Sequence, residues 1–168
     1  AIAIMEQVLA VLDAAHGLSI IHRDIKPDNV MIQAEDNGKL KVKILDFGIA
    51  KLKEEALTSK TVEGASIGTP QYMSPEQAAG DTQIDHRVDI YSAGILFYEL
   101  LQGHAPFAGE TVVQTLLMQL TREPPKFPAE LGVPHALQEL IFRALRKDRE
   151  KRIQSAGEFL AGLAQVKA

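Results

Sequence analysis

Cysteine is absent from all 168 residues. Its absence excludes a disulfide framework, a thiolate nucleophile and a cysteine-ligated zinc site, and it fits a reducing compartment. An excess of positive charge is also absent, because 18 lysines and arginines face 22 aspartates and glutamates, giving a net charge of −4. General nucleic-acid binders are normally basic, so we expect no nucleic-acid partner.

Long apolar runs are missing as well. None approaches the roughly 18 residues that cross a bilayer, and no segment has the pattern of a signal peptide. We therefore expect no membrane segment in this chain. The composition, 46% hydrophobic and 24% charged, is ordinary for a globular protein and excludes a disordered or collagen-like chain. At roughly 100–200 residues per domain, the length corresponds to one domain or to part of one.

Helical periodicity covers most of the chain. Apolar steps of three and four residues predict an amphipathic helix over 1–16, with Gly17 as its stop. No capping residue precedes it, which fits a helix that begins upstream and a fraying N-terminal helix equally well. Further predicted helices are a short one opened by the capping box Ser74-Pro75-Glu76-Gln77, a buried one over 88–101, one from Thr111 to Pro124, one over 134–146 and one capped at Ser155.

Strand signals are few. Two short runs, 30–33 and 40–45, flank Asn37-Gly38 and predict a β-hairpin over 30–45. Residues 19–22 indicate a small strand or a turn. Residues 49–72 are polar and without sustained periodicity, which predicts a long loop of the kind that is usually functional or mobile. The predicted fold class is therefore mainly α with a small β-hairpin.

The chemically most informative segment is His22-Arg23-Asp24-Ile25-Lys26-Pro27-Asp28-Asn29, followed across the hairpin by Asp46-Phe47-Gly48. Asn29 and Asp46 are hard oxygen ligands at the two ends of one hairpin, which suits Mg²⁺ bound together with substrate phosphates. Asp24 and Lys26, two apart on an extended loop, can point to the same side. A carboxylate there can accept a hydroxyl proton while the ammonium neutralises a phosphate.

These motifs resemble those of the protein kinases. HRDIKPDN is similar to the kinase catalytic loop and DFG to its metal-binding motif. Gly68-Thr69-Pro70, Ser74-Pro75-Glu76, the run from Asp89 to Gly94 and the run from Lys147 to Arg152 resemble later landmarks in the same order. The closest resemblance is to bacterial serine/threonine kinases of the eukaryotic (Hanks) type. It implies a partial kinase domain over 1–168, a C-lobe with a catalytic loop at 22–29, an activation segment at 46–76 and a helical subdomain at 77–168.

The resemblance also implies roles for single residues. Asp24 would be the catalytic base, and Lys26 would contact the γ-phosphate of ATP. Asn29 and Asp46 would hold Mg²⁺, and Met31 would form part of the floor beneath the adenine ring. Lys26 two residues after Asp24 is the serine/threonine pattern, so the implied partners are protein substrates with Ser or Thr acceptors. The resemblance also implies a cytoplasmic location.

Structural and regulatory roles follow from the same resemblance. His22 and Phe47, followed by Gly48, would belong to a regulatory hydrophobic column, Asp89 would brace the catalytic loop, and Glu76 would pair with Arg152. Arg23 and Lys51 would receive a phosphate on the activation loop, with Thr61 as the preferred acceptor. Thr58, Ser59 and Ser66 remain alternative acceptors, and Thr69 would help select the hydroxyl substrate. Other members of the 147–152 run are expected to be a solvated helix end, and the remaining histidines are too scattered to suggest a metal site.

No glycine-rich loop and no strand lysine with a helical glutamate partner occur in the sequence. In the family these features belong to the N-lobe, so the resemblance implies a C-lobe without its N-lobe. The N-lobe would be the missing partner of this chain. Without it, the isolated chain would transfer phosphate poorly. Two functions stay open. One is the C-lobe of an active serine/threonine kinase, and the other is a non-catalytic kinase-like lobe that docks a protein.

Overall fold

The computed structural model describes residues 1–36, 38–47 and 69–167. Within these ranges the chain is mostly helical and carries one two-stranded antiparallel sheet. The predicted class, mainly α with a small hairpin, is confirmed. Most of the predicted loop at 49–72 lies outside the described residues.

The first helix, α1, spans Ile2–Gly17. Its buried stripe consists of Met5, Val8, Leu9, Leu12 and Ala15, spaced as the periodicity predicts. The chain then turns at Leu18 and Ser19, so the turn interpretation of residues 19–22 is correct and the strand interpretation is wrong.

The hairpin consists of β1, Val30–Ala34, and β2, Leu40–Ile44, with Val30 opposite Ile44 and Ala34 opposite Leu40. Gln7 of α1 fixes it in place. The Gln7 side-chain amide donates to the Leu40 carbonyl at 2.8 Å and accepts from the Val42 amide at 3.0 Å. One glutamine thus continues the hydrogen-bonding edge of β2 into α1 and anchors the hairpin that separates Asn29 from Asp46.

A short helix, α2 at Pro75–Ala78, begins with the predicted capping box, in which Ser74 and Gln77 satisfy each other's backbone amides. The next helix, α3 at Arg87–Gln102, is the centre of the molecule, because every residue from Val88 to Tyr98 is buried. It ends at Gly103, whose φ of 88° is a left-handed conformation that glycine adopts without strain.

Three further helices follow α3 in the described part of the chain. They are α4 at Val112–Thr121, α5 at His135–Ala144 and α6 at Ala156–Lys167. α5 packs closely on α3, since a Cβ at Gly94 would lie 3.0 Å from Leu145 and 3.1 Å from Ala144. The predicted helix over 134–146 ends two residues early, because Leu145 and Arg146 turn to enter the next segment. Among the described residues, no helix combines the length and the apolarity needed to span a bilayer.

Candidate active site

Asp24 and Lys26 lie side by side. The Lys26 Nζ is 3.1 Å from the Asp24 Oδ2, with 34% of the Asp24 side chain and 18% of the Lys26 side chain exposed. The prediction that both side chains point to the same side is therefore confirmed. The remaining exposure leaves the Asp24 carboxylate accessible from solvent.

Asn29 is held in one orientation by Asp24. Its Nδ2 donates to the Asp24 carbonyl at 2.8 Å and to the Asp24 Oδ2 at 3.2 Å. Because both partners can only accept, the amide nitrogen must face Asp24 and the amide oxygen is the atom left for a cation. The main chain of Asn29 accepts from the Leu45 amide at 2.8 Å, which brings the exposed Asp46 next to it across the end of the hairpin.

Thr69 contacts this cluster although it lies 43 residues after Lys26 in the sequence. The Lys26 Nζ donates to the Thr69 Oγ1 at 3.2 Å. Thr69 is followed by a 3-10 turn, Pro70–Tyr72. Tyr72 donates its phenol proton to Glu99 at 2.5 Å, and burial, followed by the contact with Glu99, raises the pKa of Tyr72 well above its ordinary value. The turn is thereby tied to the central helix.

Asp89 anchors the backbone before Asp24. Its carboxylate is fully buried and accepts from the His22 amide at 2.8 Å and the Arg23 amide at 2.7 Å. Arg23 has a φ of 68°, which is strained for a side chain of its size. The Arg23 carbonyl also accepts from the Gln77 side chain at 2.9 Å, so the strained backbone is fixed on both sides.

His16 is a site residue that the sequence analysis missed. Its Nε2 lies 2.8 Å from the Asp89 Oδ2, and its ring centroid lies 5.2 Å from that of His86. Two of the histidines that are scattered in the sequence therefore lie close together, because the end of α1 and the start of α3 converge. No periodicity or motif marks a contact between residues 73 positions apart.

His22 connects the loop at 22–29 to the end of the hairpin. Its Nδ1 accepts from the Asp24 amide at 3.2 Å, and its Nε2 lies 2.9 Å from the Leu45 carbonyl. A tautomer with the proton on Nε2 satisfies both contacts. The ring also meets Phe47 edge-on, with centroids 4.8 Å apart.

Glu76 and Arg152 form a buried bidentate ion pair. The Arg152 Nη1 is 2.8 Å from the Glu76 Oε1, and Nη2 is 3.0 Å from Oε2. Arg152 further donates to the carbonyls of Arg87, Arg146 and Lys147. The pair therefore joins α2 to the segment after α5.

Lys147 departs from the expectation of a solvated helix end. Its Nζ lies 2.8 Å from the Tyr91 hydroxyl and 3.9 Å from the centre of the Phe107 ring. Burial lowers the pKa of Lys147 to about 7, while Glu123 acts in the opposite direction. The side chain lies against Tyr91 because the chain after α5 folds back over α3.

The cavity that includes Asp24 is too small for a nucleotide. The cavity lined by Arg23, Asp24, Ile25, Thr69, Tyr72 and Met73 has a volume of about 10 Å³, room for a single water molecule. No three His, Cys, Asp or Glu side chains cluster as a metal site within 1–36, 38–47 and 69–167. Met31 is 43% exposed on β1, so this face of the hairpin is open.

Several predicted residues fall outside the described ranges. They are Gly48, Lys51 and Thr61, together with the alternative phosphate acceptors Thr58, Ser59 and Ser66. Their assignments remain predictions.

Comparison with known proteins decides the family. The family model of the protein kinase domain matches residues 1–161 of this chain. The chain belongs to the protein kinase family. Its relatives include serine/threonine-protein kinase pkn3 of Myxococcus xanthus, 42% identical over 97% of this chain and 30% of the relative. They also include serine/threonine-protein kinase PknB of Mycobacterium tuberculosis (strain ATCC 25618 / H37Rv), 40% identical over 99% of this chain and 26% of the relative.

A third kinase relative is the probable serine/threonine-protein kinase PknB of Bifidobacterium longum, 40% identical over 93% of this chain and 22% of the relative. All three relatives are bacterial serine/threonine kinases, as the sequence resemblance predicted. The chain spans between 22% and 30% of the length of these relatives.

Proposed function

We propose that this kinase-family chain is the C-lobe of a serine/threonine protein kinase that transfers the γ-phosphate of ATP to Ser or Thr hydroxyls of proteins. The catalytic loop is 22–29, the activation segment is 46–76 and the helical subdomain is 77–168. The partner that completes this C-lobe is an N-lobe. The location of the kinase domain is cytoplasmic.

The observation that carries this proposal is a linked set of contacts around Asp24 and Lys26: Lys26 contacts both Asp24 and Thr69, and Asn29 donates to Asp24. Asp24 accepts the proton of the acceptor hydroxyl. The hydroxyl oxygen bonds to the γ-phosphorus at the same time, and ADP leaves. Lys26 neutralises charge on the γ-phosphate, and Thr69 positions the acceptor. Phosphoryl transfer needs positioning and electrostatic stabilisation more than covalent chemistry. These four residues provide both the positioning and the stabilisation.

The residues at the end of the hairpin fit Mg²⁺. The Asn29 amide oxygen and the Asp46 carboxylate would hold it, and it neutralises phosphate charge when bound. Mg²⁺ is commonly held by one or two protein oxygens plus substrate phosphates, so the absence of a larger acidic cluster among the described residues is compatible with this role. Met31, on the open face of β1, would lie beneath the adenine.

The remaining assignments concern support and control. Asp89 braces the loop, His22 and Phe47 belong to the regulatory column that includes Gly48, and Glu76 with Arg152 fixes the end of the activation segment. Arg23 and Lys51 receive the phosphate of an activation-loop residue, with Thr61 as its preferred site.

A docking lobe without catalysis is the second candidate, favoured by the absence of a nucleotide-sized cavity at Asp24 within the described residues. Catalysis explains more, because a docking surface has no chemical need for a carboxylate, an ammonium and an oriented amide at one point.

Replacing Asp24 with Asn separates the two candidates. In the protein as its native source produces it, Asp24→Asn should lower phosphate transfer to casein by roughly 10²–10⁴-fold, the contribution of a general base. Asp36→Asn removes an exposed carboxylate near the tip of the hairpin and should leave the rate unchanged. Equal rates for Asp24→Asn and the parent protein would remove Asp24 as the base and favour the docking lobe.

A further inference from the structure

Gln119, on α4, is completely buried and contacts the turn that follows Thr69. Its Nε2 donates to the carbonyls of Pro70 at 3.0 Å and Gln71 at 2.7 Å. Its Oε1 accepts from the Tyr91 hydroxyl at 2.6 Å. Every polar atom of this side chain is therefore used, and two of its three contacts end on the same short turn.

The direction of each hydrogen bond is fixed. Carbonyl oxygens only accept, so the Gln119 nitrogen must face Pro70 and Gln71 and its oxygen must face Tyr91. Tyr91 has a single hydroxyl proton, which must then go to Gln119. The Tyr91 oxygen accepts in turn from the Lys147 Nζ at 2.8 Å.

Tyr91 is suited to this position. Its side chain is fully buried, and burial raises the pKa of its phenol, so the hydroxyl keeps its proton at neutral pH, although Arg152 acts in the opposite direction. Lys147 donates whether it is protonated or neutral. Lys147, Tyr91 and Gln119 thus form a chain with one possible polarity, which ends on the turn.

The turn matters because of what precedes it. Pro70 and Gln71 directly follow Thr69, whose hydroxyl accepts from Lys26 beside Asp24. Tyr72 is held separately, by the Ser92 hydroxyl on its carbonyl at 2.7 Å and by Glu99 on its phenol. Among the described residues, Gln119 therefore supplies the side-chain donor to the carbonyls of Pro70 and Gln71, the two residues after Thr69.

We propose that Gln119 is a positioning residue for the protein acceptor, which it serves by holding the turn after Thr69, and that Tyr91 and Lys147 keep its amide in the required orientation. This inference rests on the proposed function, because it assigns Thr69 to the acceptor side of the kinase site. ATP binds through other residues, so the role predicts a defect confined to the acceptor.

The test is Gln119→Met in the protein as its native source produces it. Methionine has a similar length and no donor. The backbone amides of Tyr72 and Met73, which bond to Thr69 and Pro70 within the turn, should exchange hydrogen about tenfold faster, because the Pro70 and Gln71 carbonyls lose the side-chain donor that holds the turn in place. The KM for casein should rise about tenfold, while the KM for ATP should stay within about twofold.

Two further variants make the test specific. Thr115→Val removes a buried hydroxyl from the same helix, where it contacts Gly109 and Thr111 but not the turn. It should leave both exchange and KM unchanged. Tyr91→Phe keeps the aromatic ring and removes the donor to Gln119, so it should give the same defect in a weaker form, and it provides the test if Gln119→Met does not fold.

Unchanged exchange at Tyr72 and Met73 in a folded Gln119→Met or Tyr91→Phe variant would overturn the proposal. Faster exchange with an unchanged KM for casein would overturn its acceptor role, and an equal rise in both KM values would indicate general destabilisation instead. If the parent protein transfers no phosphate, the proposed function fails and the acceptor role fails with it. The exchange measurement then still decides whether Gln119 holds the turn.

Discussion

Three side chains near the site, Asn29, His22 and Gln119, are each held in one orientation by partners of fixed polarity. Asn29 must present its nitrogen to Asp24, and Gln119 must present its nitrogen to Pro70 and Gln71. The carbonyl and carboxylate oxygens among their partners can only accept, and the Asp24 amide that bonds to His22 can only donate. A replacement that keeps the shape of one of these side chains but exchanges its hydrogen-bond donor and acceptor should therefore disturb the site more than a replacement that changes only the size of the side chain.

Lys147 provides a prediction about pH at the scale of a single residue. Burial lowers its pKa to about 7, against 10.5 in the unfolded chain, although the contact with Phe107 favours the ammonium. Between these values the unfolded state binds the extra proton, so the free energy of unfolding should rise with pH across this window. The slope is at most about 1.4 kcal/mol per pH unit, and smaller where the side chain keeps contact with water.

Urea unfolding of the parent chain and of Lys147→Met between pH 6.5 and 9.5 measures this slope as the pH-dependent part of their difference. Lys151→Met is the matched control, since the Lys151 side chain is 76% exposed and its replacement should add no slope. A constant difference between the parent and Lys147→Met across the whole range would show that Lys147 titrates as an ordinary lysine.

At the scale of the elements, the ion pair between Glu76 and Arg152 connects α2 to the segment after α5. Removing one partner leaves the other charge buried, which costs roughly 3–5 kcal/mol. We therefore expect Glu76→Ala to lower the free energy of unfolding by about this amount, because Arg152 is 3% exposed. Chemical denaturation at neutral pH measures the loss.

The exposed pair of Glu123 and Arg146 offers a comparison within the same chain. Their charged atoms are 4.0 Å apart, and both side chains are about half exposed or more. Glu123→Ala should cost less than about 1 kcal/mol, as is typical of surface pairs. If Glu76→Ala costs no more than Glu123→Ala, the buried pair is not what holds α2 to the rest of the molecule.

Elements whose signals are local could be predicted from the sequence. The capping box at Ser74 and Gln77, the buried helix before Gly103 and the hairpin between Val30 and Ile44 all depend on neighbours a few residues apart. Local signals also placed Asp24 beside Lys26.

Contacts between distant segments could not be predicted in the same way. His16 meets Asp89, Lys147 meets Tyr91 and Gln119 meets the turn after Thr69 only because helices pack in three dimensions. In each case a polar residue without a distinctive local pattern becomes a buried or half-buried partner of a distant segment. The sequence spacing of such a residue does not distinguish it from an exposed one.

At the scale of the whole molecule, the described residues present the candidate site on an open face. Met31 is 43% exposed on the hairpin, and Asp46 is exposed beside it. Small-molecule sites usually enclose roughly 300–1,000 Å³, whereas the cavity at Asp24 has about 10 Å³. A nucleotide on this face would contact the described residues on one side, so a second wall would have to come from residues outside the described ranges.

Nucleotide affinity therefore tests the arrangement of the whole molecule. We expect the isolated 168-residue chain to bind Mg²⁺-ATP with a Kd of about 1 mM or weaker, worth no more than about 4 kcal/mol, because one wall buries only part of the ligand. Isothermal titration calorimetry measures this directly, with the protein from its native source as the comparison. A micromolar Kd for the isolated chain would mean that these residues form a complete nucleotide site, and the proposed need for an N-lobe would be wrong. Weak binding by the chain and tight binding by the native protein would instead assign the second wall to protein outside these 168 residues.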